Sequence, residues 1–276
     1  MSDRPADLPD FRNPPLTEVV LSLQFEPIDR LNTPLIGLLW QRFRDRLPEI
    51  EEHPTLAPAF ENFGPPSAPN VSIVVEEKPP IPRVWFLNPD KTELVQIQKD
   101  RFIHNWRKVS GAEPYPRYES IREKFEQEVA TLALFLQEEE LGPLKINQCE
   151  VTYVNHIEPG TLWQRHGQVA IVLKQWSDRG SEGFLPELED LGLGVRYVMQ
   201  HEGKPVGRLH VAFQSAWKTK ENSPLFTLNL TARGKPLTDN LTGAFRFFDL
   251  GRSWIVRAFV ALTAEGIQQK AWERTK

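Results

Sequence analysis

Residues 93–118, ELVQIQKDRFIHNWRKVSGAEPYPRY, decide how the chain is read. Leu94, Gln96 and Gln98 alternate with Val95 and Ile97, the period of a half-buried strand. Lys99-Asp100 interrupts the alternation, and Asp tolerates turn conformations. Phe102, His104 and Trp106 then alternate with Ile103, Asn105 and Arg107, so a second strand follows and the pair reads as a hairpin. Ser110-Gly111 and Pro114 end it. Pro116 stands just ahead of a helical pattern, where its missing N–H costs nothing.

Working outward, Ile121, Phe125, Val129, Leu132, Phe135 and Leu136 form the apolar stripe of a long helix over residues 118–141. Upstream, residues 16–25 alternate as a strand, and Thr33-Pro34 reads as an N-cap and first helical position for a helix reaching Leu47. Residues 49–70 are Pro-rich and read as a loop, followed by short strands at 71–76 and 84–87. Downstream, the pattern predicts a strand over 146–157 and an ambiguous stretch over 162–176, helix or strand. An acidic loop follows over 177–191, then strands over 194–200, 208–217 and 225–231. His201-Glu-Gly-Lys is a turn between the first two of these, with Gly203 free to take positive φ. Phe247, Leu250, Trp254, Phe259 and Leu262 mark a helix, and Thr263 reads as the cap of a short terminal one.

The order strand, helix, strands, helix occurs twice, over residues 1–143 and 144–276. An antiparallel sheet with one apolar face needs cover, which a long helix supplies. The expected fold is α+β, with two similar halves, each an antiparallel sheet gripped by a long helix, the two sheets either separate or fused side by side. That order is similar to the duplicated saddle of TATA-binding-like folds, and such an analogy does not give function.

The chain has 276 residues, a net charge of −4 and one cysteine, Cys149, so no internal disulfide forms. A strongly basic footprint, the usual mark of a nucleic-acid binder, is absent overall. No apolar run approaches membrane-spanning length, and the polar, Pro-containing start lacks a signal peptide's apolar segment, so a cytoplasmic location is expected.

Four stretches carry a resemblance: NPPLTEVVLSLQF (residues 13–25), QIQKDRFIHNWRK with YPRY (within 96–118), CEVTYVNHI (149–157) and WIVRAFVALTAEGIQQKAWER (254–274). In these the chain resembles a sporadically distributed bacterial family of uncharacterised proteins. The resemblance spans nearly the whole chain and brings no catalytic residues with it. Its sporadic distribution implies an accessory, antitoxin-like or defence-linked role. The family pattern often has a His where this chain has Gly251 or Arg252, a departure that argues against an acid–base role there.

No catalytic constellation emerges. Gly192-Leu-Gly194 begins like a dinucleotide fingerprint but lacks its third glycine and its helix. Cys149 and His156 share a strand at odd separation and point to opposite faces. No two of the six histidines have the i, i+4 spacing of a helical metal site, and no metal or cofactor is expected. The candidate binding residues are Lys99, Arg101, His104, Trp106, Arg107, Lys108 and Arg117, a basic and aromatic group suited to an anion or a partner. His156 and Glu158 add a polar strand end. The first expectation is a non-enzymatic interaction protein with a protein partner. A nucleic-acid binder using the basic aromatic sheet surface is the alternative. A small-ligand sensor or enzyme with a pocket between sheet and helix is the third reading.

Overall fold

The computed structural model describes residues 5, 7–64, 81–176, 184–219 and 221–276. Its strands are β1 (Leu16–Phe25), β2 (Glu49–His53), β3 (Arg83–Leu87), β4 (Glu93–Gln98), β5 (Arg101–Arg107), β6 (Ile146–Ile157), β7 (Gly192–His201), β8 (Lys204–Lys218) and β9 (Ser223–Gly234). Its α-helices are α1 (Thr33–Trp40), α2 (Tyr118–Glu138), α3 (Leu241–Leu262) and α4 (Glu265–Lys270). The strands form one antiparallel sheet in the order β2-β3-β4-β5-β1-β6-β9-β8-β7. The expected α+β class holds, and of the two arrangements left open it is one continuous sheet that forms. β1 and β6 pair along their length, with Leu21 opposite Val151 and Leu23 opposite Cys149, and this seam joins the strands on either side of residue 143 into one sheet.

Alternation along each strand sorts the side chains between two unlike faces. Phe102, His104 and Trp106 of β5 point to the helices, as do Val19, Leu21 and Leu23 of β1 and Leu228, Leu230 and Ala232 of β9, all buried. Phe125 of α2 stacks on Phe102 and also meets Phe245 and Phe248 of α3, so the two long helices pack on each other and on the sheet. Each such side chain contributes about 1.5–3 kcal/mol by leaving water. Two glycines, Gly207 on β8 and Gly234 on β9, face each other across the ladder, and a Cβ on Gly234 would lie 2.6 Å from the Phe247 ring. The missing side chains are what let α3 seat Phe247 on the sheet.

Several local expectations change. The helix cap is Asn32, whose side chain accepts from Leu35 N at 3.1 Å, and Pro34 still occupies the first turn. The helix stops at Trp40 and tight turns carry the chain to Leu47. β2, expected as loop, is an edge strand on β3; its sequence EIEEH is charge-rich, as edges often are. The strand expected at 71–76 lies outside the described residues. The ambiguous stretch holds a 3-10 helix, His166–Ile171. Thr263 ends α3 by donating to Phe259 O at 2.6 Å and does not cap α4. The turn before Lys204 forms as read, with Gly203 at φ 76°. The N-terminal arm is docked: Phe11 bridges to Arg274 and packs edge-on against Phe259. No helix among the described residues is long and apolar enough to cross a membrane.

Candidate functional site: the open sheet face

The face away from the helices carries the other half of each alternation. It presents Glu18, Ser22 and Gln24 of β1, Gln96 and Gln98 of β4, and Arg101, Asn105 and Arg107 of β5. Across the seam it continues with Gln148 and Glu150 of β6, Arg233 and Thr231 of β9, and Arg208 and His210 of β8. Residues 54–63 leave the end of β2 and run over this polar surface. Leu56 N donates to Gln98 Oε1 and Gln98 Nε2 donates back to Leu56 O, each at 2.9 Å. Ala59 N donates to Gln24 Oε1 at 2.8 Å, and Arg101 donates to Ala57 O at 3.1 Å. On the far side of the seam Arg208 donates to Asn62 O at 2.7 Å, with its guanidinium 4.8 Å from the Phe63 ring centre.

Glu61 is the centre of this strap. It is 7% exposed. Arg208 donates to its Oε2 at 2.7 Å, His210 Nε2 lies 2.5 Å from Oε1, and Arg233 Nη1 lies 3.6 Å from Oε1. Burial raises the carboxyl's pKa, but the hydrogen bonds from His210 and Arg208 and the charge of Arg233 override it, so it is held below the usual carboxylate range. Arg233 also pairs with Glu150 at 2.5 Å. Beneath Ala59 a cavity of about 10 Å³, enough for one water, is walled by Gln24, Arg101, Gln148, Glu150 and Arg233. Both amide atoms of the buried Gln148 and the Arg101 Nε have no hydrogen-bond partner among the described residues. The Arg101 pKa is lowered, first by burial and then by Arg233's like charge, which outweigh Glu150 and Asp100. The strap therefore covers a basic surface without satisfying all of it.

The nine residues singled out in the sequence fall in different places. Arg101 and Arg107 share the open face at opposite ends of β5, six residues or about 20 Å apart. Arg107 donates to Lys91 O at 2.8 Å and, with Arg83, flanks Trp85, which stacks on His53 at 3.9 Å. His104 and Trp106 lie on the helix face. His104 is fully buried and its Nδ1 meets Glu128 Oε2 of α2 at 2.8 Å, while Trp106 packs on Tyr115. Lys99 sits in the β4–β5 turn and Lys108 just past β5. Arg117 precedes α2 and pairs with Asp10 at 3.0 Å. His156 is on the open face at the end of β6, its pKa lowered chiefly by burial, and Glu158 pairs with Lys218 at 2.7 Å. Sequence reading missed Glu61, Arg208, His210 and Arg233. Alternation puts Arg208 and His210 on one face of the strand read over 208–217, but Arg233 lies past the strand read over 225–231, and nothing local marked Glu61 as their partner.

Cys149 is buried on the helix face, away from His156, and burial drives its thiol pKa far up, the reverse of an activated nucleophile. Among the described residues no group of three or more His, Cys, Asp or Glu is arranged to hold a metal ion. No family model, no curated protein and no solved structure matches the chain.

Proposed function

We propose that this protein is a non-enzymatic binding protein whose open sheet face takes up an extended, acidic segment of a protein partner. The observation that carries the reading is Glu61. A backbone running across the sheet already delivers one carboxylate to Arg208, His210 and Arg233. The same strap trades backbone hydrogen bonds with Gln24, Gln98 and Arg101. A partner segment with a similarly placed Asp or Glu would meet the same donors. The tethered strap competes at an effective concentration in the millimolar range, so it sets a threshold that a partner must exceed.

We read the sheet further as two duplicated halves in a TATA-binding-like order, residues 1–143 and 144–276. Support comes from the strand order, in which β2-β3-β4-β5-β1 meets β6-β9-β8-β7 as its near mirror. Membership of the sporadically distributed bacterial family rests on the four sequence stretches, and an accessory, antitoxin-like role in the cytoplasm would fit a strapped binding surface. A nucleic-acid strand suits the face less well. Trp106 and His104 point to the helices, the face carries Glu18 and Glu150 of its own, and the net charge is −4.

The test replaces residues 55–63 by a Gly/Ser linker of equal length and follows the fluorescence anisotropy of labelled oligo-glutamate, oligo-lysine and single-stranded DNA. Oligo-glutamate should bind the variant at least about ten-fold more tightly than the intact chain, because the tethered competitor is gone. Equal affinity with and without the strap would overturn the reading. So would preferential DNA binding with a steep salt dependence, the mark of phosphate contacts.

A further inference from the structure

We infer a second binding site, on the helix-covered side of the sheet, for a short-chain aliphatic carboxylate held by Arg252. A cavity of about 60 Å³ lies between α3, the β1–β6 seam and the N-terminal arm, walled by Phe11, Leu16, Tyr115, Tyr153, Arg252 and Phe259 among others. Most of that wall is hydrocarbon. Three charged residues stand in it: Asp10 and Arg117, which pair with each other at 3.0 Å, and Arg252, which is only 4% exposed.

The arginine's donors are incompletely used. One Nη2 donates to Glu119 Oε1 at 3.0 Å, and the guanidinium carbon stands 5.2 Å from the Tyr118 ring centre. Its Nε is buried and has no hydrogen-bond partner among the described residues. A guanidinium presents its donors as a rigid planar fork that matches a carboxylate. Leaving a buried charged donor unmade is costly, so an acceptor oxygen entering the cavity is favoured there. The Tyr115 and Tyr153 hydroxyls, 3.3 Å apart, stand in the same wall as further donors. Burial raises both phenol pKa values, which keeps their protons in place. Phe11, Leu16, Ile255, Val256 and Phe259 would then clasp an apolar body.

Size narrows the class. At about 10–15 Å³ per water-sized probe, the cavity takes about four to six non-hydrogen atoms, the size of isobutyrate. The arm lines the cavity through Pro9, Asp10, Phe11 and Pro14. Arg12 N and Asn13 N donate to Glu273 O and Trp272 O at 3.2 Å, and Arg117 reaches back to Asp10 at 3.0 Å. Arg117 itself has φ 73° and ψ 150°, a conformation costly to a side-chain-bearing residue and held here by Asp10 and the Tyr115 ring.

The experiment is a saturation-transfer NMR titration of the intact chain with isobutyrate and with its neutral isostere isobutyramide. Isobutyrate should bind with a Kd in the millimolar range or tighter, and isobutyramide at least about ten-fold more weakly. Arg252→Gln should cost at least about ten-fold in isobutyrate affinity. Because that change also strands Glu119, Val256→Phe is tested beside it; it fills the cavity, keeps the ion pair and should abolish binding. Equal affinity for acid and amide, retained affinity in Val256→Phe, or no transfer to isobutyrate at about 10 mM would each overturn the site. Replacing the strap over the open face should leave isobutyrate affinity unchanged, so this site and the open-face reading fail separately.

Discussion

At Glu61 a single carboxylate carries most of the electrostatic logic of the open face. Its two oxygens engage Arg208 and His210, with Arg233 close by. The carboxyl pKa is depressed below the ordinary 4.5 of glutamate, so its contribution to stability is fully present above that value. It is lost as pH falls through the lower pKa of the folded state, because protonation then costs the ion pairs. Glu61→Gln should therefore destabilise the chain at neutral pH, and the gap between wild type and variant should close on acidification below about 4.5. Urea denaturation of both proteins across pH 3–7 reads this directly; a gap independent of pH would refute the role given to the charge. Protection against hydrogen exchange at residues 55–63, taken relative to the intrinsic rate at each pH, should fall over the same window. His104 shows the opposite case. It was read as a surface residue from its basic neighbours, yet it is a core residue whose partner, Glu128, comes from α2 and is shared with Arg46. The two partners lie 24 positions apart in sequence, beyond the reach of local patterning.

Elements were legible where the side-chain period was clean. β1, β6 and the apolar stripe of α2 follow directly from alternation or helical spacing, because each lies between a hydrophobic face and a polar one, whereas β5 mixes aromatic and polar residues on both faces and is buried on both. β2 was not legible, since EIEEH has the composition of a solvated stretch and becomes a strand only by pairing with β3. The placing of α3 was also hidden, because it depends on what is missing from two strands. A Cβ on Gly234 would stand 2.2 Å from Val206 O and 2.6 Å from the Phe247 ring. Gly234→Ala should cost about 1–3 kcal/mol by overpacking. A Phe247→Ala background should relieve only part of that, since the Val206 carbonyl is backbone and stays. Denaturant titration of the four proteins of this cycle gives the coupling. Full relief in the double variant would place the whole conflict in the ring, and no cost in Gly234→Ala would mean that α3 and the sheet are not held this closely.

Over the whole molecule, the seam between β1 and β6 decides what the halves can do alone. The sequence divides the chain at residue 143 and leaves open whether the sheets on each side are fused, because a repeated element order says nothing about whether the edge strands of two sheets meet. They do meet here, Leu16 to Phe25 against Ile146 to Asn155. Cutting between the halves would expose Val19, Leu21 and Leu23 beside a bare strand edge, and on the other side Cys149, Val151 and Tyr153. The cut would also part Phe125 from Phe245 and Phe248, uncovering the helix–helix contact. A long apolar edge of this kind is a template for pairing with another chain. Residues 1–143 and 144–276 expressed separately should therefore fail to persist as folded monomers, and mixing them should restore a 1:1 complex with the far-UV spectrum of the intact chain. Size exclusion with light scattering decides the matter. A monomeric fragment with a cooperative unfolding transition would mean that each half holds a core of its own and that the seam is an interface between two domains. The 1:1 complex would mean that the open face, with Gln24, Gln98 and Arg101 on one side of the seam and Arg208, His210 and Arg233 on the other, exists only when both halves are joined. Glu61 would then be placed to report that joining, since its strap begins at an edge strand of the first half and ends on the second.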